Sequence, residues 1–160
     1  MDSYILYFDG CSKGNPGPSG AGAVLYKNDV IIWKGCQFVG MEQTNNQAEY
    51  YGLILGLTKA SRLNITNITI VGDSLLVIKQ MRKEYNVNSL SILPLYRKAA
   101  DLASQFSAIF FEHVYRKENK IADSLANQAL EIIDECKDEL EENIEWTKEE
   151  ESSIFKKKNN

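Results

Sequence analysis

The chain has 160 residues, of which 44% are apolar and 25% charged, with a formal net charge of −4. That length and balance fit one globular domain with a substantial core and exclude collagen-like and wholly disordered classes. The opening apolar run, Tyr4 to Phe8, ends at Asp9 with no basic segment ahead of it, and nothing approaches the roughly 20 apolar residues of a membrane span, so no signal peptide or membrane partner is expected.

Ser3 to Asp9 alternates and is rich in Tyr, Ile and Phe, which predicts a strand. Gly10, Gly14, Asn15, Pro16, Gly17, Pro18 and Gly20 then predict a loop. Ala21 to Tyr26 and Val30 to Val39, split by Lys27-Asn28-Asp29, predict a hairpin that joins the first strand in antiparallel order. From Gln47 the pattern turns helical: Ala48, Tyr51, Leu55 and Leu57 recur at helical spacings, with Thr44 or Asn45 as N-cap. Asn64 to Asn67 breaks that helix. Ile68 to Val71 is a short β-branched strand, Asp73 or Ser74 caps a helix to Arg82, and Ile92 to Gln105 is helical. Ala108 to Val114 is the last strand, and Asn119 onward is helical. The order βββαβααβα predicts an α/β fold, a mixed sheet flanked by helices, because strand–helix–strand passages form parallel right-handed crossovers. Tyr4, Leu6, Phe8, Val24, Leu53, Leu57, Ile68, Ile70, Leu76, Leu102, Phe111, Leu125 and Leu130 are the expected core, and Trp33 is expected to pack rather than to stack on bases.

Charge divides the chain where no linker does. Residues 131–160 hold eleven acidic and five basic residues, a net −6, whereas residues 1–130 hold thirteen basic and eleven acidic, a net +2. The expected organisation is therefore a domain of residues 1–130 and an acidic helical extension or tail of residues 131–160. The tail either stays solvated or docks through Ile144, Trp146, Ile154 and Phe155. A modestly basic body leaves nucleic acid open as a partner, since a local basic face matters more than the sum. Cys11, Cys36 and Cys136 are odd in number and lack metal-ligand spacing, so a reducing, cytoplasmic setting is expected.

Four acids stand where acid is unwelcome. Asp9 ends an apolar strand, Glu49 lies early in an apolar helix, Asp73 follows Ile68 to Val71, and Asp123 lies between Ala122 and Leu125. Singly, each has an ordinary use: an Asx-turn at Asp9, the helix dipole for Glu49, a cap at Asp73, a solvated face for Asp123. Together they are better explained by adjacent strand ends and packed helices that gather them. Gathered carboxylates repel unless cations neutralise them, and hard oxygen ligands suit Mg²⁺ or Mn²⁺.

Tyr7 through Gly20, Thr44-Asn45-Asn46-Gln47-Ala48-Glu49, Gly72-Asp73-Ser74 and Asn119 through Asn127 resemble, in order and in element context, the four signature blocks of type 1 ribonuclease H. The resemblance spans residues 3–130. It implies a ribonuclease H-like five-stranded mixed sheet, three antiparallel strands followed by two parallel ones. It also implies a metal-dependent endonuclease that cuts the RNA strand of RNA/DNA hybrids, leaving 5′ phosphate and 3′ hydroxyl ends. By similarity Asp9, Glu49, Asp73 and Asp123 are catalytic and hold two Mg²⁺ ions about 3.5 to 4 Å apart, with Asp9 bridging and Mn²⁺ able to substitute. Gly10, Cys11, Asn15, Asn45 and Asn46 are expected at the minor groove, where the 2′-OH distinguishes ribose, and Thr44 at a DNA-strand phosphate. No obligate protein partner is expected, and the working form is a monomer.

Two departures qualify the resemblance. The stretch after Asp73 lacks the Lys- and Trp-rich handle of many bacterial members, as in archaeal and retroelement relatives, so hybrid binding is expected to be weaker and salt-sensitive. The sole histidine, His113, falls in a strand pattern without a flexible loop after it and is read as structural; Arg116 is the better phosphate-facing group. The competing functions are a hybrid-binding module without cleavage, which four intact acids disfavour, and a nuclease of the same fold that also cuts double-stranded RNA.

Overall fold

The computed structural model describes residues 1–142, with side chains to Ile132. The expectations for Ile144, Trp146, Ile154 and Phe155 lie outside these residues. In chain order the elements are β1 (Tyr4–Ser12), β2 (Gly17–Lys27), β3 (Val30–Gln43), α1 (Asn45–Arg62), β4 (Asn67–Gly72), α2 (Leu75–Met81), α3 (Leu93–Ala103), β5 (Ala108–His113) and α4 (Lys120–Glu142), with a 3₁₀ turn at Arg116–Glu118. One five-stranded sheet has the order β3-β2-β1-β4-β5. β1 pairs antiparallel with β2 and parallel with β4, which in turn pairs parallel with β5. The predicted α/β class, element order and strand directions hold.

The core lies on the face of the sheet covered by α1 and α3. Leu6, Phe8, Leu53, Leu57 and Ile70 are fully buried there, and Ile68 and Phe111 join the same cluster. Within it the buried Tyr50 hydroxyl donates to Gln80 Oε1 at 2.6 Å, tying α1 to α2. α1 starts with a capping box, in which Thr44 Oγ1 accepts the Gln47 N–H at 3.2 Å and the Thr44 N–H donates to Gln47 Oε1 at 2.8 Å. Leu76 was expected in the core and is instead 39% exposed. In the short α2 the inward positions belong to Val77, Ile78 and Met81, which leaves Leu76 on the solvent side.

The Gly10 to Gly20 segment is a second correction. Only residues 13–16 connect β1 to β2, and the flanking glycines are strand residues. Glycine there serves close packing on both faces of the sheet rather than a turn. A Cβ on Gly10 would collide with the backbone of Ala48, so α1 can lie against β1 only because that side chain is missing. On the opposite face, a Cβ on Gly22 would sit 2.6 Å from Ala122 O and 2.7 Å from Leu125 Cβ. Gly22→Ala is therefore expected to push α4 outward and destabilise the protein by about 2 kcal/mol, read as a lower denaturant midpoint.

Candidate active site

Parallel pairing sets two of the acids side by side. β1 and β4 stay in register as far as Phe8 opposite Gly72, so Asp9, still within β1, and Asp73, just past β4, lie side by side where that pairing ends, on the carboxyl edge where open sheets of this kind hold ligands. Asp9 is 4% exposed, and its Oδ1 accepts the Gly10 N–H at 2.9 Å. Asp73 does not cap α2; Ser74 does, its Oγ accepting the Val77 N–H at 3.2 Å. Glu49 comes from the early turns of α1, which the bare Gly10 lets approach. Asp9, Glu49 and Asp73 each present a carboxylate oxygen within 4.8 Å of the others. Asp123 comes from the first turn of α4. Asn119 fixes where that helix begins, its Nδ2 donating to Phe8 O at 2.9 Å.

Burial, followed by the charge of Asp73, pushes Asp9 up to about 8; Asp123 adds to the rise and the Gly10 N–H opposes it. Burial, then Asp9 and Asp73, hold Glu49 well above the carboxylate range. Burial raises Asp73 as well, against the pull of the Asn119 amide and the Arg116 guanidinium. Glu49 Oε2 is buried without a hydrogen-bond partner, which costs about 1–3 kcal/mol unless a ligand completes it. An all-oxygen donor set of this kind fits a hard divalent cation.

Gly10, Cys11, Asn45 and Arg116 line the same cleft as the four carboxylates, a space of about 260 Å³. Asn15, Thr44 and Asn46 lie outside that lining. Asn15 and Asn45 nevertheless belong to one hydrogen-bonded chain: Asn15 Oδ1 accepts the Asn45 N–H at 2.9 Å, and Asn45 Oδ1 accepts the Ser12 N–H at 2.8 Å. These bonds set the direction of both amides, so that Nδ2 of each can donate to a ligand. The Arg116 side chain is 82% exposed, 3.8 Å from Asp123 Oδ1. His113 lies at the end of β5 with Nε2 3.2 Å from the backbone carbonyl of Asp73, and its ring meets Tyr115 edge-on. Asn119 and Asn127 were given no role from sequence. Their signal was the spacing of four residues on either side of Asp123, which places all three on one face of a helix.

A central strand end that gathers acids from both neighbouring layers defines a ribonuclease H-like protein. Residues 7–129 match the family described as reverse transcriptase-like. The bifunctional protein Rv2228c of Mycobacterium tuberculosis is 43% identical over 129 residues, which cover 79% of this chain and 35% of that protein. The chain thus spans about a third of the length of that curated relative. The solved N-terminal RNase H domain of Rv2228c superposes with a TM-score of 0.80, covering 85% of this chain and 99% of that one. RNase H1 of Halobacterium salinarum superposes with a TM-score of 0.77 at 39% identity, covering 81% and 98%. LC11-RNase H1, solved in complex with an RNA/DNA hybrid, gives 0.77 at 29% identity, covering 82% and 99%. The chain belongs to the reverse transcriptase-like family and is similar, within it, to type 1 ribonuclease H domains.

Proposed function

We propose that this chain is a divalent-metal-dependent endoribonuclease that hydrolyses the RNA strand of RNA/DNA hybrids and leaves 5′ phosphate and 3′ hydroxyl ends. The observation that carries this reading is the Asp9, Glu49 and Asp73 cluster, with its unpartnered Glu49 oxygen, where the pairing of β1 with β4 ends. Asp9 holds the middle of the site, Glu49 and Asp73 complete one side and Asp123 the other. Mg²⁺, with Mn²⁺ as a substitute, would supply an activated water and charge stabilisation at the phosphate and the leaving 3′ oxygen when bound. The residues themselves supply position. β1, β4, α1 and α4 hold the carboxylates at fixed points, and burial keeps competing water away from Asp9 and Glu49.

Recognition follows from what the rim can offer. Asn15 and Asn45 donate, and every base pair presents an acceptor in its minor groove, so these contacts suit a substrate of any sequence. Gly10 and Cys11 lie side by side in the cleft wall, where a sugar can meet their backbone. Thr44 and Asn46, at the N-terminus of α1, face a DNA-strand phosphate and the groove edge, and the exposed Arg116 guanidinium meets a phosphate near the scissile bond. The protein works as a monomer in the cytoplasm, without an obligate protein partner. Among the described residues, no helix is long and apolar enough to cross a membrane.

The test is a gel of labelled RNA/DNA hybrid, RNA duplex and single-stranded RNA, each with Mg²⁺, with Mn²⁺ and with chelator. Cleavage of the hybrid alone, and only with a divalent ion, is expected. Equal cutting of the RNA duplex would make this a broader nuclease, and binding without cutting a recognition module.

A further inference from the structure

Asp123 has a neighbour whose place the proposed hydrolysis does not account for. One helical turn further along α4, Asn127 Nδ2 donates to Asp123 O at 2.9 Å and lies 3.4 Å from Asp123 Oδ1. The other end of the same amide accepts from Cys11 Sγ at 3.7 Å. Cys11 stands on β1, two residues past Asp9. Asn127 thereby links the strand that carries Asp9 to the helix carboxylate that must meet it.

The link has an orienting consequence. An amide can turn end for end, but a protonated thiol facing Oδ1 directs Nδ2 toward Asp123. The alternatives for holding Asp123 are poor. Arg116 is mostly in solvent at 3.8 Å, a separation at which an exposed pair orients weakly. The Asp123 side chain is itself 29% exposed. A neutral donor restrains it without cancelling the negative charge that a cation requires.

We propose that Asn127 is a positioning residue that holds the Asp123 carboxylate against Asp9 for divalent-cation binding, with Cys11 setting the direction of the Asn127 amide. This rests on the reading of Asp123 as the fourth metal-binding carboxylate. Asn127 is an exposed helical position, so Asn127→Ala and the near-isosteric Asn127→Leu both remove the donor without opening the core.

The experiment titrates metal-free protein with Mn²⁺ by calorimetry and measures hybrid cleavage for both variants, for Asp123→Asn and for the Asp123→Asn/Asn127→Ala double variant. In both single Asn127 variants the Mn²⁺ dissociation constant is expected to rise about tenfold and kcat to fall about tenfold, with KM within about twofold. In the Asp123→Asn background, Asn127→Ala is expected to add nothing to the loss of Mn²⁺ affinity, since the two residues act as one unit. Unchanged Mn²⁺ affinity, a change confined to KM, or an additive loss in the double variant would each overturn the proposal. So would a lower metal-free melting temperature with normal Mn²⁺ binding, which marks a purely structural role. If Asp123→Asn itself binds Mn²⁺ and cleaves normally, the reading of Asp123 has failed, and the single Asp123 variant identifies that failure separately.

Discussion

Asp9→Asn is expected to abolish divalent-metal-dependent cleavage, by about a thousandfold or more, while the metal-free variant melts no lower than the parent protein. Asp9 is the buried member of the cluster and lies against acids from two other elements. Replacing its carboxylate by a neutral amide removes a ligand shared by both sides of the site. The same charge is a liability when no cation is present. The Asp9 carboxyl titrates near 3.8 in an unfolded chain and near 8 in the fold, so the folded state binds the extra proton between those values. Stability from this group is therefore highest below about pH 4 and is lost as pH rises toward about 8, by at most about 1.4 kcal/mol per pH unit. Asparagine carries no such loss. In chelator, the melting temperature of the variant should exceed that of the parent by a margin that widens from about pH 5 to about pH 8. Adding Mg²⁺ should raise the parent more than the variant, because the cation offsets charge that only the parent has in full. Near-normal turnover by the variant would end the metal-centred reading, and a variant that melts lower in chelator at about pH 8 would remove the repulsion argument.

How much of this was legible before any coordinates follows from what each signal depends on. Alternation from Ser3 to Asp9 and the β-branched run Ile68 to Val71 announce strands locally, because period and residue type are properties of neighbouring positions. The order of elements then constrains the sheet, and the four acids stand out as charges inside apolar patterns. Gly10 and Gly20 read as loop residues and stand in strands for a physical reason. Local propensity reads glycine as a turn, whereas these glycines make room for α1 and α4 against the sheet, a demand set by residues distant in sequence. Leu76 misled similarly, since a two-turn helix buries a narrow stripe and its phase is set by tertiary packing. Asn15 and Asn45 were recognised as polar groups at a groove. That each spends its oxygen on a neighbour, and so offers donation, depends on a chain of hydrogen bonds through Ser12 that joins three separate segments. Asn127 was passed over because its significance lies in which helix face Asp123 occupies.

The second large effect concerns the substrate. Replacing four consecutive ribonucleotides around a cleavage position with deoxyribonucleotides is expected to eliminate cutting there, by about ten-thousandfold. The 2′-OH both donates and accepts, and a site built around it leaves its own polar groups unpaired when it is missing. The rim has little freedom to adapt. The Asn15 to Asn45 to Ser12 chain fixes the N-terminus of α1 to β1, and the Ser12 hydroxyl donates to the carbonyl of Gln43 at 2.8 Å. A wall held at that many points cannot close around the smaller sugar. Binding should suffer much less than cleavage, because phosphate contacts such as that assigned to Arg116 persist on any strand. The substituted duplex should therefore act as a competitive inhibitor, with an affinity that weakens steeply with salt. Cleavage of an all-DNA duplex as fast as the hybrid would show that the rim does not read the sugar. Loss of both binding and cleavage would instead place the 2′-OH among the groups that anchor the strand, ahead of any role in aligning the scissile phosphate with the carboxylates.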